Sequence, residues 1–126
     1  MSGFSPISLK ASTTISAYRI VVALTATANT VKAAAAATEL PLGISLDTCL
    51  DTSLAIPIQM NGIAKLYFND TVGTGKLVAA DASGRGVPHV DTTAGSYVVG
   101  TLIGPAVAAT GTIAEVLVNP FFKSIP

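Results

Sequence analysis

The chain has 126 residues, of which 50% are apolar and only 11% are charged, and its seven basic and seven acidic side chains cancel to a formal net charge of zero. The length suits one domain, no apolar stretch approaches the roughly 18 residues of a membrane span, and the Lys and Arg residues are spread singly, without a basic patch for nucleic acid. A charged fraction well below the usual ~25% favours a chain that works with much of its surface against other proteins.

The first 16 residues are predicted to form an extended N-terminal arm. Serine and threonine are mixed irregularly with Phe4, Pro6, Ile7 and Leu9, and Pro6 disfavours helix in the residue before it. The segment has neither the charged start nor the apolar run of a signal peptide. Two interpretations remain open, a loose chain end or an extended segment that adds a strand to the sheet of a neighbouring subunit.

The region from residue 18 to residue 46 predicts three strands. Residues 18–24 alternate with the period of two that is typical of a strand. Residues 31–40 contain five consecutive alanines, the residue with the highest helix propensity, but the segment is short for a stable helix. We therefore predict a strand, with a short helix as the alternative. Pro41 ends this segment, and residues 42–46 form a further short strand.

The clearest local signal predicts a hairpin centred on Asn61 and Gly62. Apolar residues alternate over residues 54–60 and again over residues 63–68. An Asn-Gly pair between two alternating runs is typical of a type I′ turn, in which both central residues need a positive φ. Pro57 has no amide hydrogen to donate, so its strand is predicted to lie at a sheet edge or to bulge there.

The C-terminal half continues the series of short strands, and the whole pattern predicts an all-β fold. Further strands are predicted at residues 76–80, 85–90, 97–103 and 112–118, with a turn at residues 81–84 and a short apolar tail at residues 121–126. The chain lacks the alternation of strands and helices that is typical of a parallel sheet. We predict a small β-barrel or sandwich of about eight short strands over residues 17–120, with the extended arm at residues 1–16.

Residues suited to catalysis or metal binding are few. Cys49 and His89 are single residues of their type; a lone cysteine is most often a small half-buried apolar residue, and a lone histidine an exposed polar one. Asp47 and Asp51 are near each other in sequence, but such carboxylates usually cap turns. Residues 73–76 lack the spacing of a phosphate-binding loop. We therefore predict no enzyme, no metal site and no cofactor.

Several segments together resemble a known family. They are residues 42–45 (LGIS), 58–65 (IQMNGIAK), 72–88 (VGTGKLVAADASGRGVP), 97–104 (YVVGTLIG) and 111–120 (GTIAEVLVNP). Their order and spacing resemble the bacteriophage capsid decoration proteins, also called cement or head-stabilising proteins. The resemblance covers about residues 17–120 and is carried by turn glycines and alternating strands.

The resemblance implies a structural virion protein on the outer surface of a phage capsid, synthesised in the host cytoplasm. It implies a β-rich fold, a homo-trimer, and the major capsid protein as partner, without nucleic acid, membrane or small-molecule substrate. Such a protein stabilises the expanded head by bridging neighbouring shell subunits, and it gains avidity from many weak contacts.

The predicted capsid contacts are apolar residues near the two ends of the chain. They are Phe4, Pro6, Ile7, Leu9, Phe121 and Phe122. The alternative for each is packing within its own subunit or trimer.

Two other functions remain open at this point. One is a β-barrel module of a phage tail or fibre complex that attaches to another virion component or to a host glycan, although the chain has no tryptophan to form an aromatic platform for a glycan. The other is a small enzyme, which would need a tight polar cluster around His89 or Cys49.

Overall fold

The computed structural model describes residues 7–12, 14–24, 28–48, 55–89, 96–107 and 110–122, and the all-β prediction is confirmed for them. They contain ten strands, more than the eight or so predicted. In chain order these are β1 (Ile7–Ala11), β2 (Ile20–Ala23), β3 (Thr30–Ala33), β4 (Pro41–Ser45), β5 (Ala55–Gln59), β6 (Gly62–Tyr67), β7 (Leu77–Ala80), β8 (Gly86–Pro88), β9 (Tyr97–Leu102) and β10 (Ile113–Phe122).

The strands form two sheets, one from each half of the chain. The first five close into a barrel in the order β1-β3-β2-β4-β5, with β5 pairing back onto β1. The last five form an open sheet in the order β6-β10-β9-β7-β8. The pair β1 and β3 is parallel, and the other strand pairs among the described residues are antiparallel.

Apolar side chains form two buried clusters, one inside the barrel and one between the barrel and the open sheet. Strand β2 contributes to both, because Val21 belongs to the barrel cluster while Ile20 and Val22 belong to the cluster shared with the open sheet. The near-continuous apolar run of β2 therefore reflects burial on both faces. The shared cluster includes Ile44, Leu66, Phe68, Val78, Val99, Leu102 and Val116.

The two ends of the chain differ from the predicted domain boundaries. Residues 7–11, assigned to the arm, form β1 and pair with β5 and β3 of their own chain. Ala11 and Ile15 are 2% and 1% exposed, because their side chains belong to the apolar cluster inside the barrel. At the other end β10 continues through Phe121 and Phe122, which pair with β9. Residues 1–6 and 123–126 lie outside the described residues.

The predicted hairpin at Asn61 and Gly62 is wrong. Strand β5 pairs with β1 and β4 in the barrel, whereas β6 pairs with β10 in the open sheet, so this turn carries the chain from one sheet to the other. Gly62 has a φ of +83°, but Asn61 does not adopt the positive φ that a type I′ turn requires. The side-chain amide of Gln59 donates a hydrogen bond to the Asn61 carbonyl and closes the turn. Because β5 is paired on both sides, Pro57 is not in an edge strand.

The alanine run forms neither a full strand nor a helix. Strand β3 ends at Ala33, and a turn follows before β4. Backbone groups of the alanine run form hydrogen bonds with distant residues. The Ala34 amide donates to the Ile20 carbonyl at 2.9 Å, and the Ala37 carbonyl accepts from the Tyr97 amide at 2.8 Å. These tertiary hydrogen bonds replace the i to i+4 bonds that helix propensity favours.

Glu39 stabilises the turn between β3 and β4 through hydrogen bonds of its carboxylate. Its ionisation should therefore make the free energy of unfolding depend on pH. Its carboxylate accepts hydrogen bonds from Lys32 Nζ at 2.9 Å and from the Ala35 amide at 2.6 Å. The bond from Lys32 is the largest cause that lowers the pKa of Glu39 below its ordinary value, and the Ala35 amide is the next. The stabilisation that ionised Glu39 contributes is therefore complete at pH values above the unfolded-state pKa of about 4.3. It is lost as the pH falls through the lower folded-state pKa.

We expect Glu39→Gln to lower the free energy of unfolding at pH 7 by less than about 1 kcal/mol, because solvent screens a partly exposed pair. The side chains of Lys32 and Glu39 are 33% and 30% exposed. Urea unfolding of both proteins at a series of pH values measures the effect. The difference should disappear once the pH is below the folded-state pKa of Glu39, and a difference that stays constant with pH would contradict this assignment.

Candidate functional site

The side chains that the sequence analysis considered for catalysis do not converge in the described residues. His89 Nε2 lies 2.8 Å from Ser96 Oγ, and Asp47 accepts a hydrogen bond from the neighbouring Thr48 amide. Cys49 and Asp51 lie outside the described residues. Within the described ranges, no three His, Cys, Asp or Glu side chains are grouped to hold a metal ion. The same ranges contain no helix with the length and apolar character needed to span a membrane.

Asp81 organises the turn between β7 and β8. Its Oδ1 accepts hydrogen bonds from the amides of Ser83 and Arg85, each at 2.8 Å. Its Oδ2 accepts from Asn69 Nδ2 at 2.9 Å and from Arg85 Nε at 3.0 Å. The carboxylate side chain is only 12% exposed. The predicted turn at residues 81–84 is confirmed. The contacts of one carboxylate explain Asp81 and Arg85 in the Asp-x-x-Gly-Arg sequence, and a φ of +76° explains Gly84.

We expect Asp81→Ala to lower the free energy of unfolding by about 2–3 kcal/mol, because hydrogen bonds to a charged, nearly buried acceptor contribute more than neutral ones. Asp81→Asn should cost less, since the amide oxygen still accepts from the turn. Asp70→Ala is the matched control, because Asp70 is exposed and accepts from the adjacent Thr71 amide. Urea unfolding compares the three variants, and equal losses for Asp81→Ala and Asp70→Ala would contradict the role of Asp81.

A junction that the sequence did not reveal joins the barrel to the open sheet. The Tyr18 amide donates to the Ser45 carbonyl at 2.8 Å, and the Tyr18 carbonyl accepts from the Tyr67 amide at 2.9 Å. Tyr18 has a φ of +62°, a left-handed conformation that is uncommon for a bulky residue. The Arg19 guanidinium lies 4.2 Å from the centroid of the Tyr67 ring, and burial lowers the pKa of Arg19. Alternation predicts a strand here but carries no signal for a left-handed tyrosine.

Two strand ends that carry predicted contact residues lie toward one end of the molecule, which we call the turn end. The turn end comprises the start of β1, the turn at residues 60–62 and the last residues of β10. Ile7 pairs with Ile58, two residues before this turn begins. Gly62 pairs with Val118, and β10 then continues past it to Phe122. The turn end therefore brings together positions that are more than one hundred residues apart in the sequence.

The other predicted contacts have different positions. Leu9 is half-buried and packs against the barrel cluster of its own chain, as the alternative interpretation holds. Phe4 and Pro6 lie outside the described residues. Phe121 and Phe122 are placed by their backbone pairing with Val98 and Tyr97.

An open groove of about 660 Å³ lies beside the turn end. Ile63 and Leu117 form its apolar wall and are 57% and 42% exposed. The lining also includes three residues with side-chain amides. The lining residues are Gln59, Asn61, Gly62, Ile63, Leu117, Val118 and Asn119.

The groove opens onto the side of the open sheet that is turned away from the barrel, which we call the outer face. Four of the five large apolar residues exposed in the described part of the chain lie on this face or at its margin, and Leu40 is the exception. The four are Ile63, Ile103, Ile113 and Leu117. In β6 and β10 the exposed alternate positions hold Ile63, Ile113 and Leu117 together with the charged residues Lys65 and Glu115. This mixture of apolar and charged residues does not distinguish the outer face from an ordinary solvent-exposed face in the sequence.

Comparison with known proteins shows a likeness of fold to a solved structure. No protein-family model and no curated protein sequence matches the chain. Among solved structures, the chain is similar to the N-terminal base of the head fibre protein of bacteriophage phi29, with a TM-score of 0.70. The match covers 90% of this chain and 92% of that one at 15% sequence identity. At this identity the likeness is one of fold, and it extends through both the barrel and the open sheet.

Proposed function

We propose that this chain is a structural protein of a bacteriophage virion, which binds the outer surface of the capsid and stabilises the expanded head by bridging neighbouring major capsid subunits. The observation that carries the proposal is the fold likeness to the base of a phage head fibre over 90% of this chain. The resemblance of residues 17–120 to capsid decoration proteins points to the same part of the virion independently.

We place the capsid contact at the turn end. Ile7 begins β1, Phe121 and Phe122 end β10, and Phe4 and Pro6 precede β1 in the sequence. The chain has zero formal net charge, so long-range repulsion between copies crowded on a shell is small. Many copies with modest contacts hold a shell together through avidity.

The second candidate function is the base of a fibre that is attached to the head. It is favoured by the solved structure itself, which is described as a head fibre base. The two functions differ in what the attached protein does. A cement protein contacts at least two shell subunits and strengthens the shell, whereas a fibre base needs one contact with the head and one with the rest of the fibre.

Sedimentation of the purified protein with expanded empty heads tests the proposal. We expect saturable co-sedimentation at a fixed ratio to shell subunits, together with a rise in the temperature at which the heads break open. Binding without any rise in that temperature would favour the fibre base. Absence of binding would contradict both functions.

Deletion of residues 2–6 tests the turn end as the contact. We expect head binding to weaken at least about tenfold, since each lost apolar contact is repeated in every copy, while the thermal unfolding of the free protein stays unchanged because β1 begins at Ile7. Removal of residues 1–14 is unsuitable, since it deletes β1 and opens the barrel. Asp70→Ala is the control, because Asp70 is exposed and follows the end of β6 that is opposite to the turn end. Unchanged binding after the deletion would exclude residues 2–6 from the contact.

A further inference from the structure

The outer face carries rows of side chains that lie directly opposite one another on β6 and β10; all are exposed except Tyr67, which is half-buried. In such rows neighbouring side chains on the same face are in contact range. Two apolar rows flank a central row that contains one cation and one anion. Along the strands the rows are Ile63 with Leu117, Lys65 with Glu115, and Tyr67 with Ile113.

This pattern is self-complementary about a two-fold axis that runs parallel to the strands, between β6 and β10. Rotation about that axis lays β6 of a second copy over β10 of the first. Lys65 of each copy then faces Glu115 of the other, and Ile63 of each copy faces Leu117 of the other. A two-fold interface requires this reciprocity, because one patch must match itself.

The charges and the apolar groups of the outer face are both available to such a second copy. Neither Lys65 nor Glu115 takes part in an ion pair among the described residues, and both side chains are exposed. Ile63 and Ile113 are 57% and 46% exposed, and exposed apolar side chains grouped on one face are typical of an interaction site. Antiparallel sheets commonly pack face to face at about 10 Å.

We propose that a second copy of this chain docks on the outer face and forms a two-fold dimer. Because the axis is parallel to the strands, the turn ends of the two copies point in the same direction. If the turn end is the capsid contact, as in the proposed function, one dimer presents two contacts side by side to two neighbouring shell subunits. This arrangement differs from the trimer that the family resemblance implies.

Charge reversal tests the dimer without any capsid. We expect sedimentation velocity to give the wild-type protein a mass near twice the 12.7 kDa of one chain. Lys65→Glu and Glu115→Lys, each alone, place like charges opposite each other across the interface and should raise the dissociation constant at least about tenfold. An equimolar mixture of the two variants restores opposite charges between copies, and we expect it to form a heterodimer.

The mixture separates an effect on the interface from an effect within the chain, because each variant keeps its own internal repulsion in the mixture. Thermal unfolding confirms that each variant is folded. Leu40→Glu is the matched control, since it adds a charge at an exposed leucine outside the outer face, and it should leave the dimer intact. A monomeric or trimeric wild-type mass, or a mixture that does not associate, would overturn the proposal. None of these outcomes depends on head binding, so failure of the dimer and failure of the proposed function are distinguishable.

Discussion

Gly100→Ala should destabilise the protein severely, by about 3 kcal/mol or more, the upper end of the usual cost of overpacking. Gly100 lies in β9, between Val118 of β10 and Val78 of β7. A Cβ atom at this position would lie 2.0 Å from the backbone carbonyl oxygen of Leu117 and 2.9 Å from its carbonyl carbon. The obstacle is backbone, so no side-chain rotation relieves it. The methyl group fits only if β9 moves away from β10, which disrupts the centre of the open sheet.

Thermal unfolding followed by circular dichroism measures this effect, and we expect a fall in Tm of roughly 10 °C or more for a domain of this size. Gly73→Ala is the matched control. A Cβ atom at Gly73 would meet only Lys76 Cγ, at 3.5 Å, which is ordinary contact with a flexible side chain. The control should melt within about 2 °C of the wild type. A similar result for Gly100→Ala would show that β9 and β10 tolerate a wider separation than the structure indicates.

Phe68→Ala should cost about 3–5 kcal/mol, the usual range for removing a fully buried phenylalanine. Phe68 is 0% exposed and belongs to the cluster between the barrel and the open sheet. Its backbone is fixed on both sides, because its amide donates to Thr112 and its carbonyl accepts from Gly111, each at 2.8 Å. The surrounding chain therefore cannot collapse easily into the space that the ring leaves.

Phe68→Leu provides a graded comparison, since it keeps an apolar side chain in the same place and should lose less than half as much stability. Urea unfolding of both variants gives the two free energies. A loss below about 1 kcal/mol for Phe68→Ala would mean that the ring is not a central part of the shared cluster.

The functional surfaces were only partly predictable. The sequence indicated apolar side chains at both chain ends as contacts, and the structure adds that β1 begins near the turn at Asn61 and Gly62 and that β10 runs past it. It did not indicate the outer face, because period-two alternation assigns one face of each strand to a core and says nothing of a partner for the other. The charges of Lys65 and Glu115 are visible in the sequence, but their opposition depends on the register of β6 against β10.

The sequence by itself determined the all-β class, most strand positions and the turn at residues 81–84, because alternation and turn chemistry act over a few neighbouring residues. Only the tertiary structure decided which strands pair, that β1 closes a barrel, and that the Asn-Gly turn links two sheets. The alanine run shows the same limit, since hydrogen bonds to Ile20 and Tyr97 override its local preference for helix. Strand pairing depends on which apolar faces can be buried together, and residues far apart in the chain settle that question when the two cores form.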